Sequence, residues 1–329
     1  MMLESAPNNS LVRPPFFIIS GLVGIPNIHH YYIFLFFVYI VSIAGNSFVM
    51  FLIFQFHNLR TPKYVVVFNL AFVDLFGSSA LVPKLIDTFL FDHLQISYDE
   101  CMAYLFFCYS SLSMQSFNLG ALAYDRLVAV AHPLHYHVKI THRFMMGLMA
   151  FFWLVVIVTV ILAVFFLTTL SYCKSVVIKS YFCDHGQMYR LACNNNFANY
   201  VLSVLNPILI LWLPLAFILF SYLYIGVTLS KVATLQEGLK ALKTCTAHLM
   251  LVGIFYLPIL ATFAMMSKIH TNARIINLSI TSVLPAMLNP IVYVLQTQEI
   301  RESVRKLFHA KRKSRVGLRS VNNEICATK

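Results

Sequence analysis

The chain has 329 residues, 59% hydrophobic and 11% charged, with a formal net charge of +12. A soluble domain carries about 25% charged residues, so a chain this long and this poor in charge cannot clothe a water-facing surface, and its length does not translate into two soluble domains. Abundant Phe and Tyr with few Gly and Pro exclude low-complexity character, and the positive excess, gathered beside the last apolar segment, points to a membrane surface and not to nucleic acid.

Residues Met1 to Val12 lack the basic-then-apolar succession of a cleavable signal peptide, so the first long apolar segment is expected to act as the targeting signal. Asn8-Asn9-Ser10 is an N-glycosylation acceptor, which marks Asn8 for modification if this end lies outside the cell.

A helix needs about 20 mostly apolar residues to cross a bilayer. Seven segments qualify: His30–Phe56, Tyr64–Phe91, Cys101–Val130, Phe144–Leu170, Phe197–Lys231, Leu239–Met266 and Arg274–Gln296. None shows the alternating pattern of a membrane β-barrel. The expected fold is an all-α membrane protein, a seven-transmembrane helix bundle followed by a short amphipathic cytoplasmic helix. Its divisions are an extracellular amino terminus (1–29), the seven-transmembrane domain (30–296), and a cytoplasmic amphipathic helix with a basic tail (297–329). With the amino terminus outside, 17 of the 24 Lys and Arg fall on the inner side, as the positive-inside rule requires. An odd number of spans then carries the carboxyl terminus into the cytosol. In the segment from Gln298 to Phe308, Ile300, Val304, Leu307 and Phe308 share one helical face, which predicts a helix lying on the inner leaflet.

Charged groups inside a membrane are expensive and are functional candidates. Asp74 lies mid-span in the second segment, Asn46 in the first and Asn289 in the seventh. Their similar depth predicts shared hydrogen bonds. Asp125 and Arg126 close the third span and can neutralise each other. Pro207 and Pro214, Pro258 and Pro290 interrupt the fifth, sixth and seventh spans, and each removes a backbone hydrogen bond and invites a kink. Four cysteines, Cys101, Cys173, Cys183 and Cys193, fall on the outer, oxidising side, where disulfides are expected and three pairings are open. A zinc site with His185 is the rival, but the short Cys-x-x-Cys spacing is absent, so no metal is assigned. Cys108, Cys245 and Cys326 read as free. No nucleophile motif, phosphate loop or metal-ligand cluster sits where an enzyme would need it, and no cofactor is expected.

Gly45-Asn46, Leu70-Ala71-x-x-Asp74, Cys101, Tyr124-Asp125-Arg126 and Asn289-Pro290-x-x-Tyr293 resemble the rhodopsin-like G-protein-coupled receptors. Within that superfamily the chain looks like an odorant receptor. The run from Leu122 through Asp125-Arg126 to His132-Pro-Leu-His-Tyr136 carries that likeness, with Ser221-Tyr222, Lys240-Ala-Leu-Lys-Thr-Cys-Thr-Ala-His-Leu249 and Pro285-Ala-Met-Leu-Asn-Pro-Ile-Val-Tyr293. Gly24-Ile25-Pro26 and Phe255-Tyr-Leu-Pro258 resemble the class I, fish-like subgroup. The resemblance implies a receptor in the plasma membrane that binds a small-molecule odorant, couples to a stimulatory, olfactory-type G protein and raises cyclic AMP. It implies the pairs Cys101–Cys183 and Cys173–Cys193. It implies an activation switch of Asp125, Arg126, Asn289, Pro290 and Tyr293, and a buried polar network of Asn46, Asp74 and Gln115.

It also places the ligand among Cys108, Tyr109, Leu112 and Ser113 of the third span, Leu205 and Asn206 of the fifth, and Tyr256, Leu260 and Phe263 of the sixth. Two departures stand out. Class I relatives that take short acids often carry Arg near the outer end of the sixth span, where this chain reads Met266-Ser267-Lys268. Gln115 stands where many have Glu, which removes one charge from a sodium site beside Asp74. An amine receptor would need an acid near Cys108 and Tyr109, and none is there. A transporter would show inverted repeats, which are absent.

Overall fold

The computed structural model describes residues 11–230, 235–264 and 270–307, with backbone only at 235–244, 247, 263–264 and 296. Asn8, Lys268, Phe308 and Cys326 lie outside the described residues, as does the side chain of Phe263.

A backbone in hydrocarbon must satisfy its own polar groups, and a helix does so within one segment. Seven long helices result among the described residues. They are α1 (His29–Gln55), α2 (Pro62–Leu90), α3 (Tyr98–Ala131), α4 (His142–Thr168), α5 (Phe197–Leu229), α6 (Leu235–Ala264) and α7 (Thr271–Gln296). A further helix, α8, covers 298–307. Five of them (α1, α2, α4, α5 and α7) are long and apolar enough to cross a membrane by composition alone, and α6 holds a shorter apolar stretch, His248–Thr262. The central α3 falls short of that apolarity because its polar residues face inward: Ser110, Ser113, Gln115, Ser116, Asn118 and Asp125 are all buried. The outward side chains are apolar, as with Phe151, Leu154 and Phe165 on α4. Polarity is thus inverted relative to a soluble bundle.

Helix α3 starts three residues before the expected span. The Ser97 side chain accepts a hydrogen bond from the Glu100 amide and so caps the helix there. Helix α5 contains one π-helical turn, Ile208–Trp212, immediately before Pro214. Pro214 has no N–H for the Ile210 carbonyl, and the Ser116 hydroxyl of α3 donates to that carbonyl instead. Pro290 frees the Ala286 carbonyl in the same way, and Asn46 Nδ2 of α1 donates to it at 2.7 Å.

One end of the bundle carries a cap of three short strands. β1 (Phe16–Ile19) pairs antiparallel with β2 (Gln95–Ser97), with Phe17 opposite Ile96, and parallel with β3 (Val177–Ile178). Phe17 is fully buried under the sheet, edge-on to Tyr172 at 5.2 Å. At the opposite end, α8 turns its apolar face to the bundle. Ile300 is buried among residues of α1, α2 and α3, with Val304 and Leu307 packed against them. Lys63 fixes this helix by an ion pair to Glu299 at 2.9 Å.

Gly45 lets α1 approach the kink of α7, since a Cβ there would lie 2.8 Å from Pro290 Cγ. The proline ring is not a flexible tip that can turn aside, so Gly45→Val should destabilise by about 1–3 kcal/mol. The expected result is a clear drop in the thermal unfolding temperature of the purified receptor. Gly147→Val, where a Cβ meets nothing within 4 Å, should leave that temperature nearly unchanged.

Candidate functional site

Beneath the cap lies a cavity of about 210 Å³, walled by α2, α3, α5, α6 and α7. Its roof is the loop between α4 and α5. Cys183 of that loop is bonded to Cys101 near the start of α3, and Cys173 to Cys193. The first bridge positions its two neighbours over the cavity, Phe182 and Asp184. Phe182 leans on Tyr109 at 5.9 Å and on Tyr181 at 4.7 Å. The Tyr181 hydroxyl lies 2.8 Å from Ser282 Oγ on α7, which ties the roof to that helix.

Asp184 is the charged group of this roof. Its Oδ1 accepts from the Tyr109 hydroxyl at 3.1 Å and from the Gly186 amide at 2.8 Å, while Oδ2 lies 3.6 Å from Arg274 Nη1. Arg274 also donates to the Lys179 carbonyl at 2.8 Å. A carboxylate this enclosed is tolerable because it is paired and hydrogen-bonded. Tyr109 and Asp184 together separate the cavity from a second one of about 240 Å³, which reaches His185, Arg190 and Asn206.

Of the residues expected to meet a ligand, Cys108, Tyr109 and Leu112 line the first cavity, and Tyr109 and Asn206 line the second. The others are placed differently. Ser113 turns its hydroxyl to the Tyr109 carbonyl at 2.6 Å. Leu205 is 53% exposed, on the outward side of α5. Tyr256 is buried in a cluster with Leu119, Ile218 and Phe255, Leu260 packs against that cluster, and the Tyr256 hydroxyl sits 2.7 Å from Ser116 Oγ. Ile259 is the α6 side chain that faces both cavities. Sequence reasoning missed Tyr181, Phe182, Asp184, Ile259 and Arg274. The one available signal was that two of them flank Cys183.

The floor of the first cavity is Gln115. Its Nε2 donates to Asp74 Oδ1 at 2.8 Å, and Asn289 Nδ2 donates to Asp74 Oδ2 at 2.7 Å. The fully buried carboxylate is therefore held by two neutral amides. Asn46 does not join them. Its amide serves Ser42 and the carbonyl that Pro290 leaves free.

At the far end, Arg126 Nη2 lies 3.1 Å from Asp125 Oδ2, and the Tyr136 hydroxyl donates to Asp125 Oδ1 at 2.7 Å. A small cavity of about 60 Å³ there is lined by Arg126, His248 and Tyr293. The Tyr222 hydroxyl lies 2.8 Å from His248 Nδ1, and His248 Nε2 lies 3.1 Å from the Leu119 carbonyl. That pair of partners assigns the proton to Nε2. The Tyr293 hydroxyl is buried without a hydrogen-bond partner among the described residues.

The family model described as "7tm_4: Olfactory receptor" matches residues 35–311. The chain is 34% identical to human "Olfactory receptor 1J1" over 271 residues, covering 82% of this chain and 84% of that one. It is 31% identical to human "Olfactory receptor 1F1" over 305 residues, 92% and 97% of the two chains. It is also 32% identical to "Olfactory receptor 1" of Rattus norvegicus over 305 residues, 92% and 96%. The crystal structure of squid rhodopsin superimposes with a TM-score of 0.69 at 19% identity, over 88% of this chain and 90% of that one, which shows a shared fold.

His185 in the roof loop offers a pH test. It is buried with Nε2 3.1 Å from Asn199 Oδ1. Burial pushes its pKa below the ordinary 6.5, and the Asn199 bond opposes this only in part. Below pH 6.5 the unfolded chain then binds more protons than the folded one. Stability should be full above that pH and decline as pH falls toward the depressed folded-state value. His185→Gln should flatten this decline in thermal unfolding curves taken between pH 7.5 and pH 5.

Proposed function

This chain belongs to the olfactory receptor family, and we propose that it binds a small organic odorant beneath the cap and activates a stimulatory, olfactory-type heterotrimeric G protein, raising cyclic AMP. It is a multi-pass plasma-membrane receptor, not an enzyme. In this reading the capped end and amino terminus are extracellular and the carboxyl terminus cytoplasmic, which the excess of Lys and Arg at the opposite end supports.

The observation that carries the reading is the double membership of Gln115. It is the floor of the cavity and a ligand of Asp74. The cavity wall is mostly apolar, with hydroxyls of Ser111, Thr281 and Ser282 to orient a ligand, as small-molecule sites in bundles commonly are. An occupant that moves Gln115 alters the bonds of Asp74, and through them Asn289. Asn289 precedes Pro290, the kink of α7, and Tyr293 follows on the next turn. Tyr293 and Arg126 line the same small cavity at the cytoplasmic end. Arg126 there has Asp125 as its partner and exchanges it when the helices part for the G protein. A ligand that binds the parted state more tightly shifts the population toward it.

The test is a broad odorant panel applied to cells bearing the chain and the olfactory G protein. An odorant should raise cyclic AMP, and Arg126→Ala at matched surface density should abolish the rise. Undiminished signalling by that variant, or ligand-evoked current without cyclic AMP, would refute the reading.

A second outcome concerns sodium. A hard cation favours oxygen ligands, and charged ones most. Gln115 supplies a neutral carbonyl where Glu would supply a charge. Basal cyclic AMP in membranes should therefore change little when sodium is replaced by a large organic cation at constant ionic strength. Gln115→Glu should lower basal output and enlarge the sodium effect, and Asp74→Asn should remove what sodium effect remains. A strong effect in the unmodified receptor, unchanged by Gln115→Glu, would defeat the argument.

A further inference from the structure

Between α3, α4 and α5, on the half of the bundle nearer Asp125, lies a groove of about 470 Å³. It opens where α4 and α5 diverge. Helix α4 packs against the first part of α5, Phe197–Pro207, and parts from it beyond the π-helical turn and Pro214. Helix α3 forms the floor, and Gly120 leaves that floor without a side chain. A Cβ at Gly120 would come no nearer than 3.9 Å to Pro214 Cβ. The rim side chains Phe144 and Phe217 are 42% and 38% exposed, and their neighbours Phe151, Leu154 and Phe220 point outward still more. In a membrane protein such a surface meets lipid, so the bilayer supplies what fills the groove.

The lining chooses among lipids. No charged side chain lines the groove, so it offers nothing to a phosphate headgroup. Its one polar side-chain group is the Tyr124 hydroxyl, which has no hydrogen-bond partner among the described residues. Tyr124 immediately precedes Asp125 and Arg126, on the side of the groove toward the polar edge of the bilayer. Phe117, toward the other end, stacks on Phe152 of α4 at 4.8 Å with planes 18° apart, and the pair closes that end of the groove with aromatic carbon. Along α3, Phe117 and Tyr124 are separated by about 10 Å of helical rise. The volume lies within the roughly 300–1,000 Å³ range of small-molecule sites. A flexible acyl chain loses rotamer freedom on entering a fixed slot, whereas a rigid fused-ring molecule does not.

We propose that this groove is a sterol site, with the ring system against Phe117 and Phe152 and the sterol hydroxyl hydrogen-bonded to Tyr124. The test uses the full-length receptor in phosphatidylcholine nanodiscs with a photoreactive cholesterol analogue, followed by peptide mapping. Labelling should fall on the segments around Phe144 to Phe152 and Leu213 to Phe217. Excess cholesterol should compete with it, and excess phosphatidylcholine should not. Gly120→Leu fills the floor and should reduce labelling at least tenfold. Tyr124→Phe keeps the ring and loses the hydroxyl, and should weaken competition by cholesterol about three- to tenfold, so the proposal stands on a second variant if Gly120→Leu fails to fold. It should also erase the preference for cholesterol over its 3α-hydroxyl epimer. Equal competition by phosphatidylcholine, or labelling unchanged in both variants, would show ordinary boundary lipid and overturn the proposal.

Discussion

In the interior of a bilayer no water is available to a backbone carbonyl that has lost its partner. Pro214 and Pro290 each create such a carbonyl, and each is answered from a neighbouring helix: Ile210 by Ser116 of α3, and Ala286 by Asn46 of α1. The kinks are therefore properties of helix pairs and not of α5 or α7 alone. Much else depends on them. Gly45 must lack a side chain so that α1 can reach Pro290. Ser116 must sit on the central helix, where it also meets Tyr256 of α6.

The same scarcity of water explains the site. Asp74 has two amide donors, and Asp184 has a phenol, a backbone amide and a guanidinium. Both partners of Asp74, and the phenol and guanidinium that meet Asp184, come from other elements, so the burial of each carboxylate depends on several segments staying in place. The first cavity lies between these two anchors. Asp184 forms part of its roof and Gln115 its floor, and a molecule entering between them meets groups whose positions are already held by charge and hydrogen bonding.

The helices were legible because a span declares itself by length and apolarity. Even α3 was read as a span from its apolar residues, although its inward polar residues dilute its hydropathy. Faces were less legible than spans. Leu205 and Asn206 are adjacent, yet one faces outward and the other a cavity, and the π-helical turn just beyond them disturbs the regular phase of α5. On α6 Ile259 faces both cavities and Thr262 the second, in place of the expected Leu260. Asn46 was expected beside Asp74, but a carbonyl freed 240 residues away claims its amide. The roof was hidden for another reason. Loop residues such as Phe182 and Asp184 have no periodicity, and the disulfide at Cys183 and their contacts with Tyr109 and Arg274 put them in place.

The cap gives the chain an order of assembly. β1 is made first, yet its partners follow late: Ile96 lies beyond two helices, and Val177 beyond four. Until those partners have been synthesised and inserted, Phe17 and Ile19 have no sheet to bury them. Contacts that close such long stretches of chain form slowly. The first strand in sequence is thus among the last elements to settle, and the finished cap records that α1 to α4 and the loop beyond them have all reached their places.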